Sequence, residues 1–460
     1  MSTTDVSSST ESGHVAWVLA ATCLVWIMTP GVGLLYSGLA RKKHALSLIM
    51  LCFLAIPIVS VQWFIWGYSL AFSRTGGPFI GNLQNVFFMN LQWDSGPTNA
   101  SKQVPEVLFA IFECMFAVIT PALIIGAVAE RVRLLPTVIF IFIWSTLVYD
   151  VIAAWCWSKN GWFATLGGLD YAGGIPVHIS SGAAALAFCI VVGRRNRPSS
   201  PHNIVNVILG TVLLWFGWFG FNGGSAVAAN KRAIMACIVT NLAASFSGLA
   251  WMFLDYFKYN KLRAVSFCSG AVAGLVAITP ASGYVAPYAA AVFGIVSGVL
   301  CNLAVAMKRL LGKYDDAMDV FAIHGIGGFI GNILTGVFAD QNIVSLNGDN
   351  INGGAVNGNF IQILIQLSGS CSGMMYSFLV TLIILYIMNI IPGLSLRLDG
   401  EDGTDIIEMG ERAYRFDEEP ETRNAIIEKG DVESVDIESA NNENGDVERS
   451  DSESTNNEVV

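Results

Sequence analysis

Apolar residues gather into eleven runs near twenty residues long, separated by short polar stretches. A run of that length suits an α-helix crossing a hydrocarbon core about 30 Å thick, at about 1.5 Å per residue. The pattern predicts spans at residues 15–38, 45–72, 105–129, 134–156, 171–193, 203–222, 234–257, 264–281, 285–307, 320–338 and 361–390, the eighth being the shortest. The expected fold class is an all-α polytopic membrane protein with eleven transmembrane helices. Residues 1–14 are polar and lack a basic n-region, so no cleavable signal peptide is expected and the first span acts as its own insertion signal. Residues 391–460 form a polar tail beyond the last span.

Composition agrees with this reading. Of 460 residues, 53% are hydrophobic and 13% charged, and the mean hydropathy is +0.56. Soluble domains carry about 25% charged residues. The length is therefore used on spans rather than on several globular domains.

The net charge of −10 hides two opposed parts. Residues 393–460 hold 21 acids and 6 bases, a net of −15, and the remainder holds 14 acids and 19 bases, a net of +5. A mildly basic body with an acidic tail gives no footprint for nucleic acid. The nine cysteines lie in or beside apolar runs without CxxC spacing, and read as packing residues rather than disulfides or a zinc site. No cofactor or metal is expected.

Basic residues alternate between loops. The loops after the first, third, fifth, seventh and ninth spans hold 14 Lys/Arg, and the alternate loops hold five. The positive-inside rule then places the N-terminus outside and the tail in the cytoplasm. The sequon at Asn99 falls in a loop assigned outside, in agreement, although such a sequon also arises by chance.

Two histidines interrupt the apolar pattern. His178 lies in the fifth span and His324 in the tenth, and ionisable groups at membrane depth mark pathways or paired sites. Each follows an aspartate, Asp170 and Asp319, placed to cap the helix that carries it. His178 lies about 12 Å below Asp170 and His324 about 8 Å above Asp319, approaching the midplane from opposite faces. That pattern fits two inverted five-span repeats with a site at their interface, plus an extra C-terminal helix. Two unrelated buried histidines are the alternative.

Aromatic residues cluster toward the outer ends of three spans: Phe112 and Phe116 near Glu113, Trp157, and the run from Trp215 to Ser225. An aromatic box with one hydrogen-bond acceptor suits a small cation, at about 0.5–2 kcal/mol per cation–π contact. Trp215 and Trp218 taken alone read as an interfacial aromatic belt.

The segments Pro30 to Leu39, Gly126 to Arg131, Asp170 to His178, Phe216 to Ser225 and Asp319 to Gly325 together resemble the ammonium transporter / methylammonium permease / Rhesus family. Within it the chain is similar to fungal ammonium permeases of the twin-histidine, high-affinity type. The likeness covers roughly residues 15–415. It implies a homotrimer of eleven-span subunits in the plasma membrane, each with its own apolar pore. It implies an outer ammonium site of Phe116, Trp157 and Ser225, with Trp218 beside them. Phe116 and Phe221 would form the gate, His178 and His324 the pore pair, and Asp170 and Asp319 the supports. Glu113 departs from the family's usual glutamine, Asp150 and Ala154 are atypical, and Met409 replaces a frequent histidine.

Desolvation cost then suggests the transport chemistry. A bare ammonium ion in a dry pore loses its hydration, which neutral ammonia does not need. The expected function is capture of NH4+, with methylammonium as a competitor, removal of a proton, and passage of NH3 past two histidines able to hold or relay it. Such a protein is not an enzyme. A Rhesus-like gas channel and a nitrogen-sensing receptor with little flux are the alternatives; a sodium-coupled amino-acid transporter would need a larger polar centre. Residues 391–416 read as a cytoplasmic regulatory segment, and 417–460 as a disordered acidic tail. Ser434, Ser439, Ser450, Ser452 and Ser454 sit among acids as candidate sites for a kinase, an inert solubilising tail being the alternative.

Overall fold

The structure is a computed structural model that describes residues 5–93, 95–98, 101–195, 200–311, 314–398 and 402–414. Asn99 and the five tail serines lie outside the described residues. Residues Met1–Ala413 form one compact unit.

Among the described residues the chain is helical, with one isolated β-bridge between Val132 and Arg397. Ten helical segments among the described residues are long and apolar enough to cross a membrane, and the shorter apolar helix Ala264–Ile278 occupies the place of the eighth expected span. The first helix begins at Asp5, inside the stretch expected as a polar tail. There His14 is buried and its Nδ1 accepts the Ala229 N–H, so tertiary contact extends the helix beyond its apolar run.

The helices sort by what surrounds them. Glu106–Ile125 is buried along nearly its whole length and forms the centre of the unit. Peripheral helices expose apolar side chains instead: Val205, Phe257 and Ile390 are 73%, 84% and 81% exposed. In water such a surface would aggregate; against lipid or a neighbouring subunit it is the expected outer coat.

Two backbones meet beside the histidines. A Cβ on Gly182 would lie 2.2 Å from the Gly325 nitrogen, and one on Gly328 would lie 3.0 Å from the His178 Cβ. Glycine at 182 and 325 lets the fifth and tenth spans touch backbone to backbone, and so brings the two imidazoles into reach. Both histidines sit on wide π-helical turns, Gly174–Ile179 and Phe321–Ile326, a local form common at functional sites.

The segment after the last span folds back onto the body. Arg133 N–H donates to the Leu396 carbonyl and Leu398 N–H to the Arg131 carbonyl. The Asp405 carboxylate accepts the N–H groups of Leu46 and Ser47, at the start of helix Ala45–Gln62. Glu408 accepts the Leu134 N–H at the start of helix Leu134–Trp144. Two spans that lack a side-chain cap of their own are therefore capped by acids from the tail.

Candidate functional site

One end of the unit opens into a cavity of about 460 Å³ lined by Glu113, Phe116, Trp157, Asp170 and Ser225, among others. Trp157 meets Phe116 edge to face at 6.0 Å, and its Nε1–H donates to the Asp170 carbonyl at 2.9 Å, which fixes the indole plane. The Ser225 hydroxyl donates to the Phe221 carbonyl at 2.8 Å, so its oxygen lone pairs remain available to an N–H donor. Aromatic faces plus a hydroxyl acceptor make a site for a small cation bearing N–H groups.

Phe116 lines this vestibule, and its ring centroid lies 4.3 Å from that of Phe221. Beneath lies a second cavity of only about 10 Å³, lined by His178, His324, Trp218, Phe221 and aliphatic side chains. Room for about one water-sized particle separates the two chambers in kind as well as size. Tyr36, the other polar lining residue, spends its hydroxyl on the Leu123 carbonyl.

Nδ1 of His178 lies 3.2 Å from Nδ1 of His324. One of the two nitrogens carries the hydrogen and the other accepts it. The His178 ring is stacked against Trp218 at 5.6 Å and Phe221 at 6.1 Å, and its Nε2 is buried without a partner. The pair thus holds one imidazole nitrogen ready for whatever enters the lower chamber.

Trp218 differs from expectation. It stands beside His178 in the lower chamber rather than with Trp157 and Ser225, with its Nε1–H on Thr279 Oγ1 at 3.0 Å. Helix Ile204–Gly224 runs toward the vestibule, so a residue almost a full turn before Phe221 falls below the phenyl pair.

Asp170 caps the fifth span as the spacing suggested, accepting the N–H groups of Gly173, Gly174 and Ile175 at 2.6–2.8 Å. Asp319 does not cap the tenth. Its φ of 59° turns the side chain aside to pair with Lys308. Asp316 takes the capping role, accepting from Val320 at 3.0 Å and Phe321 at 2.8 Å. Burial pushes both capping carboxyls up to about 6; the N–H donors, and Lys308 beside Asp316, pull the other way. The missed signal was in the spacing, since Asp316 precedes His324 by the same eight residues as Asp170 precedes His178.

At the far face, Arg131 donates to the Gly193 and Asp315 carbonyls, and Arg195 pairs with Asp315 at 2.7 Å. Glu130 bonds Arg41 at 2.8 Å. These ion pairs tie the loops after the first, third and fifth spans together. No cluster of three or more metal-ligating side chains occurs among the described residues.

Comparison with known proteins identifies the family. The Ammonium Transporter Family model matches residues 16–414. The chain is 50% identical to Ammonium transporter 1 of Schizosaccharomyces pombe, covering 90% of this chain and 84% of that one. It is 46% identical to Ammonium transporter MEP2 of Saccharomyces cerevisiae, over 90% and 85% of the two chains. The crystal structure of Candida albicans Mep2 superposes with a TM-score of 0.81 at 48% identity, covering 89% of this chain and 92% of that one. On the family model and these identities, the chain belongs to the Ammonium Transporter Family.

Proposed function

We propose that this protein carries ammonium across the plasma membrane as a homotrimer, with the N-terminus outside and the tail in the cytoplasm. Ammonium, or methylammonium in its place, is held by Phe116, Trp157 and Ser225 in the vestibule. It loses a proton there, and ammonia passes the Phe116–Phe221 gate and the His178–His324 pair. The proton follows through the imidazoles, so that net uptake is electrogenic. The residues after the last span regulate flux, and a nitrogen-sensing role accompanies transport.

The change of scale along the path supports this reading. A vestibule of about 460 Å³ accommodates a hydrated cation, whereas a chamber of about 10 Å³ walled by aliphatic and aromatic groups does not. A charged solute there would forgo most of its hydration, a loss that neutral ammonia avoids.

The test is current from purified protein in proteoliposomes facing an ammonium gradient, with ammonia entry followed by internal pH. Saturable inward current with little response to potassium is expected. Alkalinisation without current would indicate a neutral gas channel, and binding without either would indicate a receptor.

A further inference from the structure

Three carboxyl side chains line the vestibule: Glu113, Asp170 and Asp349. Two are committed. Asp170 accepts three backbone N–H groups. Asp349 pairs with Arg232 at 2.6 Å. Glu113 differs: it is 8% exposed, and its buried Oε2 has no hydrogen-bond partner. It lies on helix Glu106–Ile125 one residue after Phe112 and three before Phe116, so the helix that supplies the phenyl gate also supplies this carboxyl. The neighbouring Glu106 shows what a satisfied acid looks like on the same helix: it bonds Tyr68, Arg74 and the Gln92 N–H.

We propose that Glu113 is a further cation-binding residue of the vestibule, its carboxylate accepting an N–H bond from the small ammonium-type cation held over Phe116 and Trp157. This deepens the transport reading and rests on it. A buried charge without a partner is costly, and either protonation or a cation that can reach it removes that cost. Three basic side chains line the vestibule: Arg232 is occupied by Asp349, the Gly283 carbonyl and the Tyr171 and Tyr284 rings, and neither Lys102 nor Lys159 bonds the Glu113 Oε2. An ion with N–H donors fits better than potassium, because a carboxylate oxygen and the Ser225 hydroxyl together offer directed acceptors. Phenyl and indole faces alone attract any compact cation. Glu113 thereby adds selectivity as well as affinity.

The experiment measures ammonium-evoked current in proteoliposomes for wild type, E113Q and E113D, over a range of ammonium concentrations with and without potassium. E113Q keeps the shape and removes the charge. Its half-saturating ammonium concentration should rise about tenfold, with maximal current within about twofold of wild type. Potassium should compete more strongly. E113D, which retains charge at shorter reach, should fall between the two. Unchanged half-saturation in E113Q, or an equal loss of maximal current in both variants without a change in half-saturation, overturns the proposal. If E113Q fails to assemble, E113D alone decides by whether its half-saturation rises. Absence of current from wild-type protein would sink the transport reading instead.

Discussion

Asp170 and Asp316 do the same work at opposite ends of the path: each stands eight residues before a pore histidine and accepts N–H bonds from the residues four and five positions on. The equivalence gives a direct comparison. D316N should cost about 1 kcal/mol of stability, as the loss of a helix cap does, and should lower transport by loosening the turn that carries His324. D319N removes only a part-exposed pair with Lys308 and should cost less. Thermal unfolding in detergent checks the order. Equal losses would mean that the cap does not support the histidine.

At the mouth, S225A removes an acceptor and W157L removes an aromatic face. Each should raise half-saturating ammonium by roughly three- to tenfold, the worth of about 1 kcal/mol, and weaken discrimination against potassium. Competition between labelled methylammonium and potassium measures this. Unchanged competition in both variants would remove the vestibule from the binding site.

For the histidines, H178D and H324A leave the remaining imidazole without its partner. A buried donor or acceptor left unmade costs about 1–3 kcal/mol, which entering water would relieve. Hydrated ions would then pass, and selectivity for ammonium over potassium should fall about tenfold or more in each variant. Currents in the two salts decide. Wild-type flux and selectivity in every variant would make the pair a packing feature.

Truncation after residue 416 should leave fold and basal flux intact. Truncation before Thr404 removes the acids that cap two spans, and should reduce both activity and stability, by about 1 kcal/mol per cap. D405N with E408Q should reproduce the loss in the full-length chain. A shorter tail with unaltered melting and current would contradict this.

Acid should weaken the far face. Burial pushes the Asp315 carboxyl up, but hydrogen bonds and charge from Arg195 outweigh it and hold it at about 2. Because this value lies below the ordinary one, the stabilisation is present above about pH 4 and is lost as pH falls toward 2. D315N should melt earlier at neutral pH by roughly 1 kcal/mol, screened as the pair is, and lose that acid limb. An acid limb as steep as wild type's would assign it to another group.

The spans and the histidine positions were legible because lipid enforces a simple rule: long apolar runs, with any ionisable exception explained by function. Capping by Asp316 instead of Asp319 was written in the shared eight-residue spacing, and the positive φ at Asp319 is the structural feature that turns the nearer carboxylate away from the helix start. Trp218 was expected with Trp157 and Ser225 because its span ends at the outer mouth, and only the position of the phenyl pair shows on which side of that pair it stands. The tail's caps on Leu46, Ser47 and Leu134 join residues hundreds of positions apart, and no local pattern announces them. Glu113 was visible as an unusual residue type, but its unpartnered oxygen is a property of three-dimensional packing.

The Phe116 and Phe221 rings, tilted at 40° with their centroids 4.3 Å apart, carry a consequence for the movement of water. A pair of phenyl groups against a chamber of about 10 Å³ offers no continuous file of water. Vesicles crowded with this protein should therefore shrink in a stopped-flow osmotic step no faster than bare lipid.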